Sequence, residues 1–339
     1  MAVSCHPVDA KQRSAAGEMP RRGLYISWTW LRRADSIAER LGIPSYTIQC
    51  FRRGLPLPLV MVKYMLQLLS TFFLLLRERP RVVFVTNPPS FAVFPVYLYA
   101  KLFRAKYVMD SHSGCFTQRH WQRLSWLQRF FSRAAEFSLV HNNDNARVLE
   151  RWQVSYEVFP SLPPELPVVS KPRGEERPLV VFICSHHPDE PIEEFLSAAD
   201  SLGKEAADFV VTGKPHQETE ERCPSHVRLA GYLSEDDYLD LLVRADVLVA
   251  LTKNDATLLY GAQEAIALHK PLVLTGTATL REYFPAGTVF TENSPDHLAL
   301  AMTDALLRRD ELADAMAAFE VGYRAEGEKR LERVWERVS

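Results

Sequence analysis

Short apolar runs alternate with longer helical patterns along the whole chain. In the first half, runs of four to six residues predict strands over residues 24–27, 46–50, 82–86, 106–110, 137–141 and 156–160. Apolar positions that recur about every 3.6 residues predict helices between these strands, over residues 31–41, 58–77, 91–103 and 119–135. Strands that alternate with helices are typical of a doubly wound parallel sheet, in which ligands bind at the carboxyl ends of the strands.

A proline-rich stretch at residues 160–178 interrupts the alternation and predicts an extended linker, because proline fixes φ and removes a backbone donor. Strands are then predicted over 179–184, 208–212, 227–229, 247–251 and 288–291, and helices over 191–202, 235–244, 295–309 and 311–339. The strand over 247–251 is followed by a loop, a helix that carries Glu264 and a further strand that ends by residue 275. The sequence therefore predicts an α/β fold of two Rossmann-like doubly wound domains. The predicted organisation is a tail over 1–22, a first domain over 23–160, a linker over 161–177, a second domain over 178–310 and a C-terminal helix over 311–339 that packs back towards the first domain.

Composition narrows the class of protein. A chain of 339 residues with 47% hydrophobic content can bury large cores, and its length favours two domains over one. The five cysteines have no short repeated spacing, which argues against disulfides and a zinc site and favours a reducing cytoplasm. The first twenty residues are polar and lack the apolar core of a signal peptide, so they are interpreted as a disordered tail.

The two halves of the chain carry opposite net charge. Residues 1–150 contain 21 Lys and Arg against 9 Asp and Glu, a balance of +12, and the remaining residues contain 19 against 33, a balance of −14. A solvated charged surface on each half explains such a difference in most proteins. Here the basic half also holds the most apolar segment, over residues 55–76, and this combination suits an anionic membrane surface.

The apolar segment is interpreted as a helix with one narrow polar stripe, formed by Lys63, Gln67, Ser70 and Thr71. It has about the length of a transmembrane helix, but a strand that the first sheet requires follows within a few residues, which argues against a span. Two alternatives remain, a core helix packed on the sheet and a helix that also rests on a bilayer. Flanking basic residues favour the second, so the sequence predicts a peripheral protein on the cytoplasmic face of the membrane.

In the second domain, small, hydroxyl and basic residues follow the predicted strands. Backbone N–H groups at such strand ends can bind phosphate, and the candidates there are Ser185, Thr212, Gly213, Lys214, Tyr232 and Lys253. The strand over 247–251 leads into a second group of candidates, Asp255, Thr257, Tyr260, Gly261 and Glu264. Gly261 and Glu264 share a helical face, so the glycine would let a nucleoside lie close while the carboxylate accepts hydrogen bonds from both ribose hydroxyls. The alternative is that Glu264 pairs with a neighbouring base or caps the helix.

The segment GAQEAIALHKPLV around Glu264 resembles the donor-site helix of glycosyltransferases with the GT-B fold, in particular the retaining family four and its relatives that act on lipid-linked acceptors. The resemblance implies two domains that face each other across a cleft, with the nucleotide-sugar bound mainly by the second. Glu264 matches the second acid of the family pattern, while the first acid falls at Ala256, beside Asp255. The Arg and Lys that many members place after the first strand of this domain are missing, which leaves Lys214 or Lys253 to neutralise the diphosphate.

A second motif, Asp110-Ser111-His112-Ser113-Gly114, follows a predicted strand of the first domain. A histidine beside a carboxylate is suited to orienting a hydroxyl or moving a proton near neutral pH, and in the enzymes that the chain resembles such a pair faces the donor sugar. Asp110 and His112 are therefore the catalytic candidates, and the alternative is that they cap the loop. Asn87 and Ser90 of the TNPPS loop, with Ser113 and Gly114, are the acceptor-side candidates, because similar TNPP loops occur in glycosyltransferases that act on lipid-linked acceptors.

The sequence thus predicts a hexosyltransferase that takes a sugar from a UDP- or GDP-linked donor and passes it to a lipid-linked, polysaccharide or glycoconjugate acceptor. No metal is expected, because no acidic metal-binding DxD motif is evident. No further cofactor and no nucleic-acid partner are expected either. Asp110 would serve as a base in an inverting path or as an orienting group in a retaining one. A nucleotide-sugar epimerase would need more carboxylates around the sugar than Asp110 and Asp255, and the missing first acid and phosphate bases favour a non-catalytic scaffold; both alternatives stay open.

Overall fold

The computed structural model describes residues 2–6, 21–50, 57–166 and 177–339, with residues 2–6 and Leu57 described by their backbone alone. The other residues of the predicted tail up to residue 20, and residues 167–176 of the predicted linker, lie outside the described residues. The chain divides into two compact units. Unit 1 comprises Met1–Leu162 and Gly327–Ser339, and unit 2 comprises Pro163–Glu326.

Unit 1 is built on a single sheet. Its strands are β1 Ala2–His6, β2 Gly23–Ser27, β3 Ser45–Gln49, β4 Val82–Asn87, β5 Lys106–Ser111, β6 Phe137–Val140 and β7 Tyr156–Val158. They lie in the order β1-β3-β2-β4-β5-β6-β7, with all pairs parallel except β1 and β3. The predicted disordered tail is therefore wrong for residues 2–6, because this segment pairs with the backbone groups that the edge strand β3 would otherwise leave unpaired.

Helices of unit 1 follow the predicted pattern only in part, because the helix Asn143–Trp152 was not predicted and the one predicted over residues 119–135 is broken. They are α1 Arg32–Leu41, α2 Leu57–Glu78, α3 Val93–Phe103, α4 Gly114–Thr117, α5 Arg119–Gln122, α6 Ser125–Ala134 and α7 Asn143–Trp152. The single helix predicted over residues 119–135 is wrong, because the chain breaks between α5 and α6. The buried side chain of Gln128 compensates the break by donating to the Trp121 carbonyl at 2.8 Å.

Unit 2 contains a second sheet, fully parallel. Its strands are β8 Leu179–Phe182, β9 Asp208–Thr212, β10 Val227–Gly231, β11 Val247–Ala250, β12 Leu272–Thr275 and β13 Thr288–Thr291, in the order β10-β9-β8-β11-β12-β13. The helices are α8 Ile192–Leu202, α9 Gln217–Arg222, α10 Glu235–Arg244, α11 Tyr260–Ala267, α12 Ala278–Tyr283, α13 Pro295–Leu307 and α14 Arg309–Glu336. Helices α9 and α12 were not predicted, because six residues are too few to show the apolar spacing of a helix.

Both sheets are covered on their two faces by apolar side chains, as parallel sheets require. In unit 1, one face packs against α1 and against Leu331, Val334 and Val338 from the end of the chain. The residues after Glu326 therefore complete the core of unit 1, although most of α14 lies in unit 2. The other face of this sheet packs against α2, α3 and α6.

Helix α2 is long and apolar enough to cross a membrane by length and composition, over Pro58–Glu78. In the structure it lies along unit 1, where its buried Leu75 belongs to the core beneath the sheet. Only 17% of its most apolar stretch is buried, however. Both predicted alternatives include this contribution to the core. Large apolar side chains such as Met61 and Phe73 are exposed, and contact of the helix with a bilayer stays a prediction.

Candidate active site

The carboxylate of Asp110 is the centre of a buried network in unit 1. Asp110 lies near the carboxyl end of β5 and is fully buried. Tyr25 on β2 donates its hydroxyl to Asp110 Oδ2 at 2.5 Å. Arg33 on α1 donates Nε to the same oxygen at 3.0 Å and Nη2 to Oδ1 at 3.2 Å. Its guanidinium also donates to the carbonyl of Phe159 at 2.8 Å, so the cation is held from two sides.

The charged and polar groups of this network shift one another's pKa values. Burial alone would raise the pKa of Asp110, but the Arg33 guanidinium, together with His112 and His141, outweighs it and holds the pKa well below its usual value. Burial and the Asp110 charge raise the pKa of Tyr25 well above its usual value. Asp110 is therefore ionised and Tyr25 neutral near neutral pH. A carboxylate so fully engaged is an anchor for its neighbours and a poor general base.

Two histidines lie beside this carboxylate. His112 follows β5 and His141 follows β6, and their ring centroids are 4.4 Å apart in an edge-on arrangement. His112 Nε2 is 3.4 Å from Asp110 Oδ2, and His141 Nε2 is 3.9 Å from Oδ1. Neither Nε2 atom has a hydrogen-bond partner among the described residues, although both atoms are buried. Unpartnered polar atoms in such a position are available to a ligand.

These three side chains meet the spacing of a metal site but not its electrostatics. Asp110, His112 and His141 each offer one ligand atom, and these atoms lie within 4.8 Å of one another. Both oxygens of Asp110 already accept hydrogen bonds from Arg33 or Tyr25, and the guanidinium would repel a second cation. The arrangement favours a hydrogen bond from a neutral hydroxyl group over coordination of a metal ion.

The acceptor-side candidates surround the histidines. The His112 amide donates to the carbonyl of Asn87 at 2.8 Å, and Ser90 Oγ donates to Asn87 Oδ1 at 2.9 Å. Ser113 Oγ accepts from Asn145 Nδ2 at 2.9 Å, and Gly114 begins the short helix α4. The peptide bonds that precede Pro88 and Pro89 are both cis. Unit 1 thus brings the catalytic and acceptor-side candidates close together, because they lie at or just after the carboxyl ends of the adjacent strands β4 and β5.

Acidification should destabilise unit 1 through His141. Burial, Arg33 and His112 lower the pKa of His141 well below 6.5, so the unfolded chain binds this proton at a higher pH than the folded protein does. Stability from the neutral imidazole is complete above about pH 6.5 and falls as the pH drops below it, by at most about 1.4 kcal/mol per pH unit. His141→Asn should remove this part of the pH dependence.

The measurement is urea unfolding at pH values of about 7.5 and about 5.5, on either side of the ordinary histidine pKa. Tryptophan fluorescence is the signal, since all six tryptophans, at positions 28, 30, 121, 126, 152 and 335, belong to unit 1. His120→Asn, at an exposed histidine on α5, is the matched control. Equal pH dependence in His141→Asn and in the wild-type protein would contradict the role assigned to this ring.

In unit 2, the carboxylate of Glu264 is buried on α11. Its side chain is 3% exposed, and Tyr238 on α10 donates its hydroxyl to Oε2 at 2.8 Å. Gly261 precedes it by one turn, and a Cβ there would stand 3.1 Å from the Ile183 side chain. The glycine thus serves the close approach of α11 to the chain after β8. Asp255 is exposed, and Thr257 and Tyr260 are half-buried where the loop enters α11.

Residues at the strand ends of unit 2 hold the loops to one another. Thr212 Oγ1 accepts from the Cys184 amide at 2.9 Å, and Gly213 takes a φ of 83° where a Cβ would lie 2.3 Å from the Cys184 carbonyl oxygen. Lys253 forms an ion pair with Glu194 at 3.2 Å. Lys214 is exposed, and so is Tyr232, at 91%. Lys214 is therefore more accessible to an anion than Lys253 is.

The loop after β8 already carries an anion of its own. The carboxylate of Glu190 accepts from the amide of Ser185 at 3.0 Å, from Ser185 Oγ at 3.0 Å and from the amide of His187 at 2.7 Å. Backbone N–H groups at such a strand end are the groups that the sequence analysis assigned to phosphate. A phosphate at Ser185 would have to displace Glu190 or bind beside it.

Sequence reasoning missed several residues of these networks, among them Tyr25, Arg33, His141 and Glu190. His141 and Glu190 carried a usable signal, since both lie in loops at the carboxyl ends of strands. Arg33 stood in the WTWLRR segment, and nothing in its local pattern separates it from the neighbouring Arg32. Its partner Asp110 lies 77 residues away.

Comparison with known proteins agrees with this architecture. Residues 177–308 match the family described as glycosyl transferases group 1. No curated protein matches the sequence. Among solved structures, sucrose-phosphate synthase from Thermosynechococcus elongatus is similar with a TM-score of 0.67 at 11% identity, covering 94% of this chain and 96% of its own. HepE from Anabaena in complex with UDP and glucose is similar with a TM-score of 0.70 at 10% identity, covering 93% of this chain and 99% of its own.

An epimerase is also among the structural relatives. UDP-GlcNAc 2-epimerase from Neisseria meningitidis bound to UDP-GlcNAc gives a TM-score of 0.57 at 12% identity, covering 93% of this chain and 99% of its own. At such low sequence identity, the structural similarity establishes the fold alone. The chain therefore has the two-domain fold of the GT-B glycosyltransferases, and its second unit carries a glycosyl transferases group 1 domain.

Proposed function

We propose that this protein transfers a hexose from a UDP- or GDP-linked donor to a lipid-linked, polysaccharide or glycoconjugate acceptor. The observation that carries the proposal is the pair of buried imidazole Nε2 atoms beside Asp110, which lack a hydrogen-bond partner among the described residues. Two such atoms next to an anchored carboxylate suit a ligand rich in hydroxyl groups. The group 1 domain in unit 2, and the similarity to HepE in complex with UDP and glucose, support a nucleotide-sugar as donor.

The proposed roles follow from the contacts. Asp110 supplies a fixed negative charge beside His112 and His141, because Tyr25 and Arg33 hold its oxygens in place. This favours an orienting role for Asp110 over that of a base. His112 then orients a sugar hydroxyl or moves its proton. Glu264 holds the donor ribose, and the exposed Lys214 neutralises the diphosphate in a metal-independent transfer.

The second candidate function is a nucleotide-sugar epimerase, which the similarity to the Neisseria enzyme favours. The side chains argue for transfer. Of the two carboxylates named for a sugar pocket, Asp110 is fully engaged and Asp255 is exposed, so neither is placed to exchange protons with a sugar carbon. An epimerase releases the altered nucleotide-sugar without an acceptor, whereas a transferase releases the nucleotide. Product analysis by mass spectrometry and NMR separates the two.

The donor site is tested with Glu264→Gln. The substitution preserves shape and an acceptor for Tyr238 but removes the charge, so it weakens charge-assisted hydrogen bonds to the ribose. Such bonds are worth about 1.5–3 kcal/mol, and we expect donor affinity to fall about tenfold or more. Calorimetry with a panel of UDP- and GDP-sugars measures the change and also identifies base and sugar.

Glu292→Gln, at an exposed carboxylate of the same unit, is the control. Unchanged donor affinity in a folded Glu264→Gln protein would refute the assignment of this residue. Absence of binding to every member of the panel by the wild-type protein would refute the proposed function and favour a non-catalytic scaffold.

We also propose that the protein works at the cytoplasmic face of a membrane, where a lipid-linked acceptor would be found. The support is the excess of positive charge in residues 1–150 and the apolar helices of the same unit. Basic residues close to an anionic surface attract it within a Debye length of about 10 Å at moderate ionic strength.

A further inference from the structure

Helix α2 is turned with its polar side chains towards the protein. Gln67 Nε2 donates to the carbonyl of Ile48 at 2.6 Å, and Thr71 Oγ1 accepts from Trp28 Nε1 at 2.9 Å. Both polar side chains are buried, as is Leu75 one turn further on. These three residues recur every fourth position and form one face of the helix. The inward face thus includes Gln67 and Thr71, the two most buried members of the polar stripe.

The opposite face of α2 is apolar and uncovered within the described structure. Met61, Met65, Leu69 and Phe73 also recur every fourth position, and all four are exposed, Met61 at 70% and Phe73 at 65%. A surface helix in water normally shows the reverse arrangement, with its apolar stripe on the core and its polar residues outside. This orientation favours an apolar environment outside the protein.

The exposed surface continues onto two neighbouring helices. Phe94 and Leu98 of α3 and Phe130 of α6 are exposed, and α3 packs against both α2 and α6. Aromatic contacts connect these helices. The ring centroids of Tyr64 on α2 and Phe91, just before α3, are 5.5 Å apart, and those of Tyr97 on α3 and Phe130 on α6 are 5.4 Å apart. We define the apolar face of unit 1 as Met65, Leu69, Phe73, Phe94, Leu98 and Phe130. Contiguous exposed apolar surface of this kind marks an interaction site.

The part of the chain that forms the apolar face carries charges that are almost all positive. Residues 58–135 contain eleven Lys and Arg and only two acidic residues, Glu78 and Asp110. Asp110 is buried, whereas Arg77, Lys101, Arg104, Arg119 and Arg123 are exposed. An apolar surface whose own segments carry exposed basic residues matches the acyl chains and anionic headgroups of a lipid leaflet. A protein partner would need an acidic rim of its own around an apolar centre.

We propose that the apolar face of unit 1 inserts into the acyl region of one leaflet of an anionic bilayer, without α2 crossing it. This deepens the membrane placement in the proposed function and rests on it. Crossing is incompatible with the contacts that Gln67, Thr71 and Leu75 make with unit 1. Insertion of side chains removes apolar surface from water, a contribution that salt does not screen. The bound state should therefore survive high salt, unlike purely electrostatic adsorption.

Flotation of the purified full chain with vesicles of phosphatidylglycerol and phosphatidylcholine tests the proposal, at about 0.1 M and about 1 M NaCl, where the Debye length falls from about 10 to about 3 Å. We expect the wild-type protein to float at both salt concentrations. Met65→Gln/Phe73→Gln should lower the ratio of bound to free protein about tenfold or more, because two apolar side chains that would be buried in the acyl region are replaced by polar ones. Gln is a good helix former, so α2 should persist.

The matched control is Leu300→Gln/Leu307→Gln, which changes two leucines on α13 of unit 2. They are 68% and 80% exposed, at least as much as Met65 and Phe73. This variant should float like the wild-type protein. The proposal is overturned if the wild-type protein floats at low salt only or at neither salt, if Met65→Gln/Phe73→Gln floats normally, or if both variants are released. A dimer in lipid-free buffer that Met65→Gln/Phe73→Gln dissociates, without vesicle binding, would overturn it in favour of a second copy.

The assay contains no nucleotide-sugar, so its outcome is independent of sugar transfer. A protein that floats as expected but neither binds nor consumes any nucleotide-sugar would refute the proposed function alone. A transferase that stays in the aqueous fraction would refute insertion alone. Brominated phosphatidylcholine adds a depth measurement, because quenching of tryptophan fluorescence reports only on unit 1.

Discussion

Arg33→Met should lower the free energy of unfolding of unit 1 by about 3–5 kcal/mol, because it leaves the buried charge of Asp110 without its cation. Methionine keeps much of the volume and apolar contact of the arginine stem, so the loss is mainly electrostatic. Urea unfolding followed by tryptophan fluorescence measures the effect in unit 1, and the circular dichroism signal reports on both units.

Two further variants separate the charge effect from lost packing. Arg33→Met/Asp110→Asn removes both charges and should unfold at higher urea than Arg33→Met alone, because the uncompensated carboxylate is gone. Arg147→Met breaks an exposed pair with Asp144 in the same unit and should cost about 0–1 kcal/mol. If Arg33→Met were as stable as the wild-type protein, the ion pair would not hold Asp110, and the anchoring role of this carboxylate would be wrong.

His112→Ala should lower the turnover of sugar transfer by roughly a hundredfold or more, because a positioned acid or base contributes about that much to the transition state. Donor affinity should change much less, since we assign the nucleotide to unit 2. The loop itself should persist, because the contact between His112 and Asn87 uses the backbone amide. Steady-state kinetics and donor calorimetry on the same variant give both quantities.

The control for this experiment is His120→Ala, at an exposed histidine on α5 that lies outside the network around Asp110. It should retain full turnover. If His112→Ala lost donor binding and turnover in equal measure, His112 would support the loop and would not act in the chemical step. If it kept full turnover, the catalytic assignment would fail outright.

Sequence alone located the elements and the loops that carry the candidate site. Strand and helix periods differ, so apolar spacing is enough to distinguish them, and the carboxyl end of each parallel strand marks where a ligand is bound. This reasoning found Asn87, Asp110 and His112, which the structure brings together because β4 and β5 are neighbours. It failed where the chain departs from a simple period, as at the break between α5 and α6 and at the edge strand β1.

The apolar and polar pattern of the chain determined two α/β domains, the polar stripe of α2 and the opposite charges of the two halves. Tertiary structure alone decided which way that stripe faces, because a period defines two sides of a helix but not which side the protein occupies. It also decided that Arg33 and Tyr25 engage Asp110 and that His141 joins His112. These contacts join residues far apart in the chain, and only the order of the strands in the sheet brings them within hydrogen-bond distance.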